Sequence, residues 1–332
     1  MAKKILITGG CGFAGHHLVE HIIKNTDWEI FVMDRLSYAS FGFSRLREIN
    51  CFDDKRIFHF THDFNKPIEE YLLKELQYVD FIVHMGAETH VDNSITDPRP
   101  FVETNVIGTM NILEFARKCP RLQKMLYFST DEVFGPADIE THPNGFSEWE
   151  RYNSTNPYSA AKAGGEELCL AWANTFKVPV MVTHTMNIFG ERQHAEKFIP
   201  KVIRKVLDGE MVQIHADPTK KVSGSRFWIH ARNVAEAVMF ILARGVVREK
   251  YNIVGEKEVS NLDMAKFIAQ VLDKKLNYEM VDFHSSRPGH DLRYGLDGSK
   301  LKTMGFYYPK TFEDSLEKTI RWTVENEKWL RG

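Results

Sequence analysis

The amino-acid sequence predicts a doubly wound α/β fold, in which helices cover both faces of a parallel sheet. Short apolar runs alternate with longer segments of helical periodicity through the first half of the chain. The first run is followed by a glycine-rich turn and then by a helical pattern. Because strands and helices that alternate are joined by right-handed crossovers, we expect the strands to form one sheet.

The elements of this first half follow from the positions of the apolar runs. The predicted strands are Lys4–Thr8, Glu29–Met33, Ile57–Phe60, Phe81–His84, Lys124–Phe128 and Val178–His184. The predicted helices are one that begins near Phe13, and those at Pro100–Lys118 and Asn156–Phe176. We expect these elements to build a dinucleotide-binding domain of the Rossmann type at residues 1–186.

The pattern changes after residue 187 to shorter, mixed elements separated by turns such as Asp217-Pro218. This change predicts a smaller mixed C-terminal substrate domain at residues 187–332. We expect that domain to be discontinuous, with some of its chain returning to the first domain. No flexible linker separates the two parts in the sequence, which predicts that they pack together.

Composition narrows the range of functions. The 332 residues include 43 basic and 45 acidic side chains, so no polybasic surface favours nucleic acid or an anionic membrane as a partner. No segment approaches the roughly 20 apolar residues of a membrane span, so a cytoplasmic location is the expectation. The four cysteines, at 11, 51, 119 and 169, lack metal-ligand spacing, and we predict reduced thiols and no metal.

The glycine-rich turn TGGCGFAG, residues 8–15, predicts a dinucleotide site. Gly9, Gly12 and Gly15 let the backbone approach a pyrophosphate at the N-terminus of the first helix, where Phe13 and Ala14 also lie. Glycines after a strand also make ordinary tight turns, but an acidic residue, Asp34, ends the second strand at the position suited to an adenosine ribose. Asp34 favours NAD by repelling a 2′-phosphate, whereas the adjacent Arg35 leaves NADP open.

A second motif, Tyr158-Ser-Ala-Ala-Lys162, opens the helix after Thr155-Asn156-Pro157. Residues four apart lie on one face of a helix, so the Lys162 ammonium can lower the pKa of the Tyr158 phenol and let tyrosinate act as a base. A tyrosine and a lysine at this spacing can also form a solvated helix face. The position after a dinucleotide fold's fifth strand favours catalysis.

The stretch FSTDEVFG, residues 128–135, ends a buried strand on two adjacent carboxylates. Neighbouring like charges repel, and each loses hydration in a closed site. A cap or a solvated turn is one explanation of Thr130, Asp131 and Glu132. Acid–base chemistry is the other, because ionisation of one carboxyl raises the pKa of its neighbour and so supplies an acid and a base together.

These motifs together resemble the extended short-chain dehydrogenase/reductases that act on nucleotide sugars. The resemblance covers nearly the whole chain and rests on the glycine-rich turn, Asp34, HMGAETHVDNS (84–94), NVIGT (105–109), STDEVFG and YSAAK. The sequence Thr-Asp-Glu resembles the dTDP-glucose or UDP-glucose 4,6-dehydratases of that family. The alternatives are an epimerase or decarboxylase of the same fold, and a non-catalytic NAD-dependent sensor.

The resemblance implies a mechanism and a homodimer. Tyr158 removes the proton of the 4-hydroxyl, Thr130 holds that hydroxyl, and Lys162 orients the ribose of bound NAD. Glu132 then acts as the base at position 5, and Asp131 as the acid for the 6-hydroxyl. The dimer would pair the helices predicted at Pro100–Lys118 and Asn156–Phe176 into a four-helix contact.

The resemblance also implies further binding residues. On the cofactor side these are Asp63, Phe64 and Ala87. On the side of the nucleotide-diphosphate sugar they are His90, Asn187, Glu196, Lys197, Arg226, Asn261, Arg287 and His290. The chain departs from the family at His184, Met186 and Ile188-Phe189, and its loop at 215–228 is longer than the family's turn, so the sequence leaves the nucleotide open.

Overall fold

A computed structural model of the protein describes residues 2–282 and 292–332. The strands of the first half are β1 (Lys4–Thr8), β2 (Glu29–Asp34), β3 (Ile57–Thr61), β4 (Phe81–His84), β5 (Lys124–Thr130) and β6 (Val180–Thr185). Its helices are α1 (Phe13–Asn25), α2 (Ser44–Glu48), α3 (Glu70–Leu76), α4 (Val91–Thr96), α5 (Arg99–Val102), α6 (Thr109–Ala116) and α7 (Pro157–Phe176).

The second half contains shorter elements. Its strands are β7 (Ile188–Phe189), β8 (Val212–Ala216), β9 (Ser225–Phe227), β10 (Ile229–His230), β11 (Lys250–Ile253), β12 (Glu258–Ser260) and β13 (Tyr278–Asp282). Its described helices are α8 (Phe198–Leu207), α9 (Ala231–Arg244), α10 (Asn261–Val271), α11 (Ser299–Thr303), α12 (Phe312–Glu325) and α13 (Glu327–Arg331).

A seven-stranded parallel sheet forms the centre of the protein, in the order β3-β2-β1-β4-β5-β6-β11. Ile5 and Ile7 of β1 point to one core, and Leu6 points to the core on the opposite face. Helices α1 and α9 cover the first face, and α6 and α7 cover the second. The predicted doubly wound α/β fold is therefore confirmed.

The strand order places a crevice at one edge of this sheet. From β1 the chain proceeds outward to β2 and β3, and then crosses back to β4 on the other side of β1. Connections that diverge from neighbouring strands leave a crevice at the carboxyl ends of those strands, where α/β proteins bind ligands. The glycine-rich turn and the carboxylate pair both follow strands that end at this edge.

The second half contributes both to this sheet and to a core of its own. Strand β11 pairs with β6, and the preceding helix α9 packs on α1, so residues 231–253 return to the central sheet. Helices α8, α10 and α12 bury a separate core that includes Ile203, Met264 and Leu316. The division of the chain at residues 186 and 187 stays a prediction.

The predicted helix at Pro100–Lys118 has an irregular centre. Helices α5 and α6 are joined by a π-helical turn at Glu103–Gly108. Within this turn the side-chain amide of Asn105 accepts from the backbone N–H of Glu88 and donates to its carbonyl, both at 3.0 Å. The wider turn thus fastens the loop after β4, a contact that helical periodicity does not reveal.

Two features are absent from residues 2–282 and 292–332. No helix there combines the length and the apolar character needed to cross a membrane. No group of three or more His, Cys, Asp or Glu side chains in the same ranges is arranged to hold a metal ion.

Candidate active site

A cavity of about 370 Å³ lies at the carboxyl edge of the sheet. It is bounded by residues that follow β1, β4 and β7 and by the ends of β2, β5 and β6. The predicted site residues that line it are Gly9, Gly12, Phe13, Ala14, Gly15, Asp34, Arg35, Phe64, Ala87, Thr130, Asp131, Glu132, Tyr158, Lys162, Asn187, Glu196 and Lys197. The fold thus brings the separate sequence motifs to one place.

The glycine-rich turn has the geometry of a pyrophosphate cradle. Gly9 has a φ of +71°, and a Cβ on Gly15 would lie 2.2 Å from the Gly9 carbonyl oxygen, so side chains are excluded from the turn. Gly12 precedes the first residue of α1. The first N–H groups of a helix have no carbonyl partner within it and attract anions, so this turn fits the pyrophosphate of NAD.

Two residues of opposite charge, Asp34 and Arg35, lie at the end of β2. Asp34 accepts hydrogen bonds from the backbone N–H groups of Cys11, at 3.0 Å, and Leu36, at 2.8 Å. The Arg35 guanidinium pairs with Glu88 and lies 4.0 Å from the Asp63 carboxylate. Because two carboxylates compensate Arg35, it is poorly placed to hold a 2′-phosphate, and the site favours NAD.

The carboxylate pair begins a 3₁₀ turn, Asp131–Phe134, directly after β5. The Thr130 hydroxyl accepts from the backbone N–H of Glu132 at 3.4 Å and donates to Asp131 Oδ1 at 3.0 Å. Only 5% of the Asp131 surface is exposed. Its other oxygen, Oδ2, is buried and has no hydrogen-bond partner in the part of the chain that the structure describes.

The environment of Asp131 favours its protonated form. Burial and the neighbouring charge of Glu132 raise the pKa of Asp131 to about 7, and the Thr130 hydrogen bond and Arg226 only partly oppose them. A neutral carboxyl with one unsatisfied oxygen can donate a proton into the cavity. A cap alone does not account for Asp131, since Thr130 supplies the capping oxygen.

Glu132 is linked to the start of α7. Its Oε2 atom lies 3.3 Å from the side-chain nitrogen of Asn156. Asn156 also caps α7, because its side chain accepts from the N–H of Ser159 at 2.8 Å, and Ser159 Oγ accepts from the Asn156 N–H at 3.3 Å. This capping box and Pro157 fix where the helix begins, and therefore where Tyr158 enters the cavity.

Tyr158 and Lys162 line the cavity from the first turns of α7. The Tyr158 side chain is hydrogen-bonded to Thr130. Lys162 Nζ donates to the Phe128 carbonyl oxygen at 2.7 Å and lies 4.1 Å from the centre of the Tyr127 ring. The lysine thus holds the end of β5 against α7.

The pKa of Tyr158 differs from the expectation based on spacing. Burial raises it above its ordinary value, and the charges of Glu132 and Asp131 raise it further. The expected lowering of the phenol pKa by Lys162 is not found in this geometry. A positively charged group in the cavity is needed to favour tyrosinate, and the nicotinamide ring of NAD is such a group.

The predicted substrate side is assembled from the second half of the chain. Asn187, Glu196 and Lys197 line the cavity. His90 lies at its margin, with Nε2 3.9 Å from Glu196 Oε2. Glu196 also lies 3.5 Å from the Tyr38 hydroxyl. These contacts join loops of the two halves of the chain across the cavity.

Of the remaining predicted residues, Arg226 and Asn261 are not among those that line the cavity, and two others lie outside the described ranges. Arg226 donates to the carbonyl oxygens of Ser225 and Leu292, at 2.6 and 2.8 Å, and its charge acts on Asp131. Asn261 begins α10, where its backbone N–H donates to Gly224 at 2.7 Å. The predictions for Arg287 and His290 lie outside the residues that the structure describes.

Comparison with known proteins identifies the family. A model of the NAD dependent epimerase/dehydratase family matches residues 5–254. The chain belongs to this family. Membership confirms the resemblance on which the sequence analysis rested, and it confirms NAD as the cofactor. The glycine turn, Asp34 and the cavity between them provide the cradle that the cofactor requires.

Within the NAD dependent epimerase/dehydratase family, the chain is similar to 4,6-dehydratases. It is 34% identical to dTDP-glucose 4,6-dehydratase of Escherichia coli over 98% of this chain and 95% of that protein. It is 36% identical to the trifunctional UDP-glucose 4,6-dehydratase/UDP-4-keto-6-deoxy-D-glucose 3,5-epimerase/UDP-4-keto-L-rhamnose-reductase of Arabidopsis thaliana, over 98% of this chain and 48% of that protein.

A solved structure in the same family has nearly the same fold. DesIV, the dTDP-glucose 4,6-dehydratase of Streptomyces venezuelae, was solved with NAD bound. It superimposes with a TM-score of 0.89 at 32% identity, over 99% of each chain. The UDP-glucuronic acid 4-epimerase of Bacillus cereus also superimposes, with a TM-score of 0.86, but at 23% identity that likeness concerns the fold alone.

Some cavity residues of this family member were missed by sequence reasoning. They include Ser37, Arg45, Gly86, Ser129, Gln193, His194 and Trp228. Gly86 and Ser129 sit at the ends of predicted strands, and that position could have found them. Arg45 has no such signal: it is fully buried, and its guanidinium donates to the carbonyl oxygens of Cys11, Ala39, Ser40 and Arg192.

Proposed function

We propose that the protein is an NAD-dependent lyase, a nucleotide-sugar 4,6-dehydratase that converts dTDP-glucose or UDP-glucose to the 4-keto-6-deoxy sugar nucleotide. One observation carries the proposal: a buried carboxyl, Asp131, with a pKa raised to about 7, lies beside Glu132 in the cavity that Tyr158 and Lys162 also line. An oxidation at position 4 needs Tyr158 and Lys162. Elimination of water needs the acid and base in addition.

The first step is oxidation of the sugar at position 4. Tyr158 takes the proton of the 4-hydroxyl, and the side chain of Thr130, which is hydrogen-bonded to Tyr158, holds that hydroxyl. NAD accepts the hydride from carbon 4 in this step and returns it to carbon 6 in the last. Lys162, held at the end of β5, is placed to orient the nicotinamide ribose.

The second step is elimination across positions 5 and 6. The new ketone makes the hydrogen at position 5 acidic, and Glu132 takes that proton. Asp131 donates its proton to the 6-hydroxyl, which leaves as water while a double bond forms between carbons 5 and 6. Carbon 6 then receives the hydride and carbon 5 a proton, so water is lost without net oxidation. The two carboxyl groups begin the step in opposite protonation states.

The closest alternative is an epimerase or decarboxylase of the same fold. Such an enzyme uses the oxidation at position 4 but has no leaving group at position 6 to protonate. The buried Oδ2 of Asp131 would then be an unsatisfied polar atom without a function. A non-catalytic NAD-dependent sensor is less favoured still. It would need none of the four proposed catalytic side chains, which are those of Asp131, Glu132, Tyr158 and Lys162.

The product mass tests this proposal. Incubation with dTDP-glucose or UDP-glucose, without added cofactor in stoichiometric amount, should give a product lighter by one water. Unchanged mass with a new stereoisomer would support the epimerase instead. Binding without conversion across dTDP-, UDP-, CDP- and GDP-glucose would support the sensor. The same panel identifies the nucleotide, for which the bacterial relatives favour dTDP-glucose and the plant relative UDP-glucose.

A homodimer is part of the proposal. Val102, Ile107 and Phe176 expose 47, 41 and 43% of their surfaces on the helices at 99–116 and α7. Exposed apolar residues on two adjacent helices suit a four-helix contact with a second copy of the chain. Light scattering at micromolar concentration should give the mass of two chains, and a monodisperse monomer would count against this contact.

We also place the protein in the cytoplasm. Cys11, Cys51, Cys119 and Cys169 are all buried free thiols, the state expected in a reducing compartment. Fractionation of cells that produce the protein should recover the dehydratase activity with the cytoplasmic marker enzymes. Recovery with a membrane or secreted fraction would contradict this location.

A further inference from the structure

Glu166 lies on α7 in line with the two proposed catalytic residues of that helix. Tyr158, Lys162 and Glu166 are spaced four apart, which places them along one helical face. Glu166 has no exposed surface and, unlike the other two, is not among the described residues that line the cavity. A buried carboxylate in this position needs compensating partners.

Three groups from different parts of the fold compensate Glu166. Its Oε2 atom accepts a hydrogen bond from the Tyr152 hydroxyl, and it lies 3.1 Å from His184 Nε2 and 3.4 Å from Lys250 Nζ. Lys250 also donates to the Tyr152 hydroxyl. Tyr152 precedes α7, His184 is in β6, and Lys250 begins β11. The carboxylate therefore fastens α7 to two strands.

His184 contacts two oxygen atoms in this network, one at each ring nitrogen. Asn252 Nδ2 donates to the carbonyl oxygens of Phe146 and Asp297, at 2.9 and 3.0 Å, which fixes the orientation of that amide. Its oxygen therefore faces His184 Nδ1, at 3.0 Å. Both ring nitrogens of His184 therefore lie next to oxygen atoms, a carboxylate oxygen at Nε2 and an amide oxygen at Nδ1.

The negative charge of Glu166 acts electrostatically on Lys162. Burial lowers the pKa of Lys162 to about 8, and Glu166 is the first of the groups that oppose this lowering. Burial raises the pKa of Glu166, but His184 and Lys250 lower it to about 2, so it carries a full charge near neutral pH. The other titratable groups that act on or face these two residues are Tyr127, His84, Tyr152 and Cys169.

We propose that Glu166 is a positioning residue of the reaction: its buried negative charge holds the Lys162 ammonium beside the cavity and ties α7 to β6 and β11. This inference rests on the proposed function, because Lys162 acts there on the cofactor ribose. Glu166 touches neither substrate nor cofactor. It acts through Lys162.

The Glu166→Gln variant tests this role through the pH dependence of the first step. Removal of the charge lowers the pKa of Lys162, so the ammonium is lost at lower pH. The pH at which the rate of cofactor reduction declines on the alkaline side should therefore be about one unit lower than in the unmodified enzyme. A shift of this size is expected when a nearby charge is removed. The matched control is Glu167→Gln, which removes an exposed carboxylate one residue further along α7. Its profile should stay that of the unmodified enzyme.

The Lys250→Met variant should shift the alkaline decline in the rate of cofactor reduction to higher pH. It removes a positive charge from the network and leaves the carboxylate of Glu166 less compensated, so the pKa of Lys162 rises. Opposite shifts in two variants of one buried network are not expected of a merely structural role, which would lower the rate equally at every pH. This variant also keeps the inference testable if Glu166→Gln does not fold.

The rate of NAD release from the holoenzyme supplies a readout that needs no sugar. We expect NAD release to become faster as pH rises through the pKa of Lys162. Compared with the unmodified enzyme, this increase should occur at lower pH in Glu166→Gln and at higher pH in Lys250→Met. Profiles that coincide with that of the unmodified enzyme, or an equal shift in Glu167→Gln, would overturn the inference. Failure of the proposed function gives a different result, since no sugar nucleotide then loses water while these release profiles still shift.

Discussion

The carboxyl group of Asp131 is buried next to Glu132 at the end of β5, and the charge of Glu132 adds to burial in raising the pKa of Asp131 to about 7. The neighbouring residue thus maintains the proton that the acid must donate. Asn156 contacts Glu132 from the start of α7, so the same helix that presents Tyr158 also positions the proposed base. The pair is unfavourable for folding but suited to elimination.

Asp131→Asn should separate elimination from the steps before it. The variant cannot protonate the 6-hydroxyl, so loss of water should slow by about 100- to 10,000-fold, the usual effect of losing one acid–base group. Glu132 still exchanges the hydrogen at position 5, so mass spectrometry of the sugar recovered from deuterium oxide should show deuterium there. Recovered sugar with no deuterium would contradict the assignment of separate roles.

The rate of elimination should depend on pH through Asp131. The proton is present below its pKa of about 7 and is lost above it, so single-turnover water loss should decline as pH rises through about 7. Stopped-flow measurement with mass detection checks this. In Glu132→Asp, which keeps a neighbouring charge, the decline should stay near the same pH. A rate that rises through this range would rule out Asp131 as the acid.

Asp131→Asn should also change how the free energy of unfolding depends on pH. A carboxyl whose pKa is raised on folding binds its proton more tightly in the folded state, so the native protein loses stability as pH rises from about 4 to about 7. The amide has no such loss. The free energy of unfolding of the variant, relative to the native protein, should therefore increase over this range by up to about 4 kcal/mol, for about three pKa units. Denaturant titrations at both ends of the range measure it.

Asp34→Asn should relax the choice of cofactor. The native carboxylate disfavours a 2′-phosphate, and denaturation of the purified protein should release NAD. The amide keeps an acceptor for the Leu36 N–H but loses the charge, so the ratio of NADP to NAD dissociation constants should fall by about tenfold, equivalent to about 1.4 kcal/mol. Asp53→Asn, which changes an exposed carboxylate that does not line the cavity, is the control. Release of NADP alone from the native protein would overturn this interpretation of Asp34.

Asn156→Ala should destabilise α7 from its first turn. The substitution removes the side-chain oxygen that accepts from the Ser159 N–H, and loss of such a cap costs about 1 kcal/mol. Denaturant unfolding should show this decrease, whereas Asn144→Ala, at an exposed turn position, should change the free energy of unfolding by less than about 0.5 kcal/mol. An equal effect of the two substitutions would exclude the capping box as a source of stability.

The parts of the structure that the sequence predicted are those encoded by local pattern. The strands of the central sheet are short apolar runs, and a chain with this periodicity has few alternatives once the glycine turn and Asp34 mark the first crossover. The 3₁₀ turn that presents Asp131 and Glu132 was predictable in position, since it ends β5. Its effect on the pKa of Asp131 followed from adjacency and burial.

The parts that the sequence could not predict depend on contacts between distant residues. Arg45 reaches the cavity because carbonyl oxygens from three loops surround its guanidinium, and nothing near residue 45 signals them. His184 was recognised as unusual, but its partners Glu166 and Asn252 come from other elements. The expectation that Lys162 lowers the pKa of the Tyr158 phenol was wrong for a related reason. The lysine donates its hydrogen bond to the Phe128 carbonyl oxygen.

Glu132→Gln tests the central claim most directly. The variant lacks the base for position 5 but retains Tyr158 and Lys162, so in a single turnover with dTDP-glucose or UDP-glucose it should accumulate reduced cofactor and ketone without loss of water. Absorbance of the reduced cofactor and the mass of the sugar nucleotide report the two events together, and Tyr158→Phe should show neither. Turnover of Glu132→Gln and Asp131→Asn within a few-fold of the native rate, with Tyr158→Phe inactive, would contradict the dehydratase mechanism.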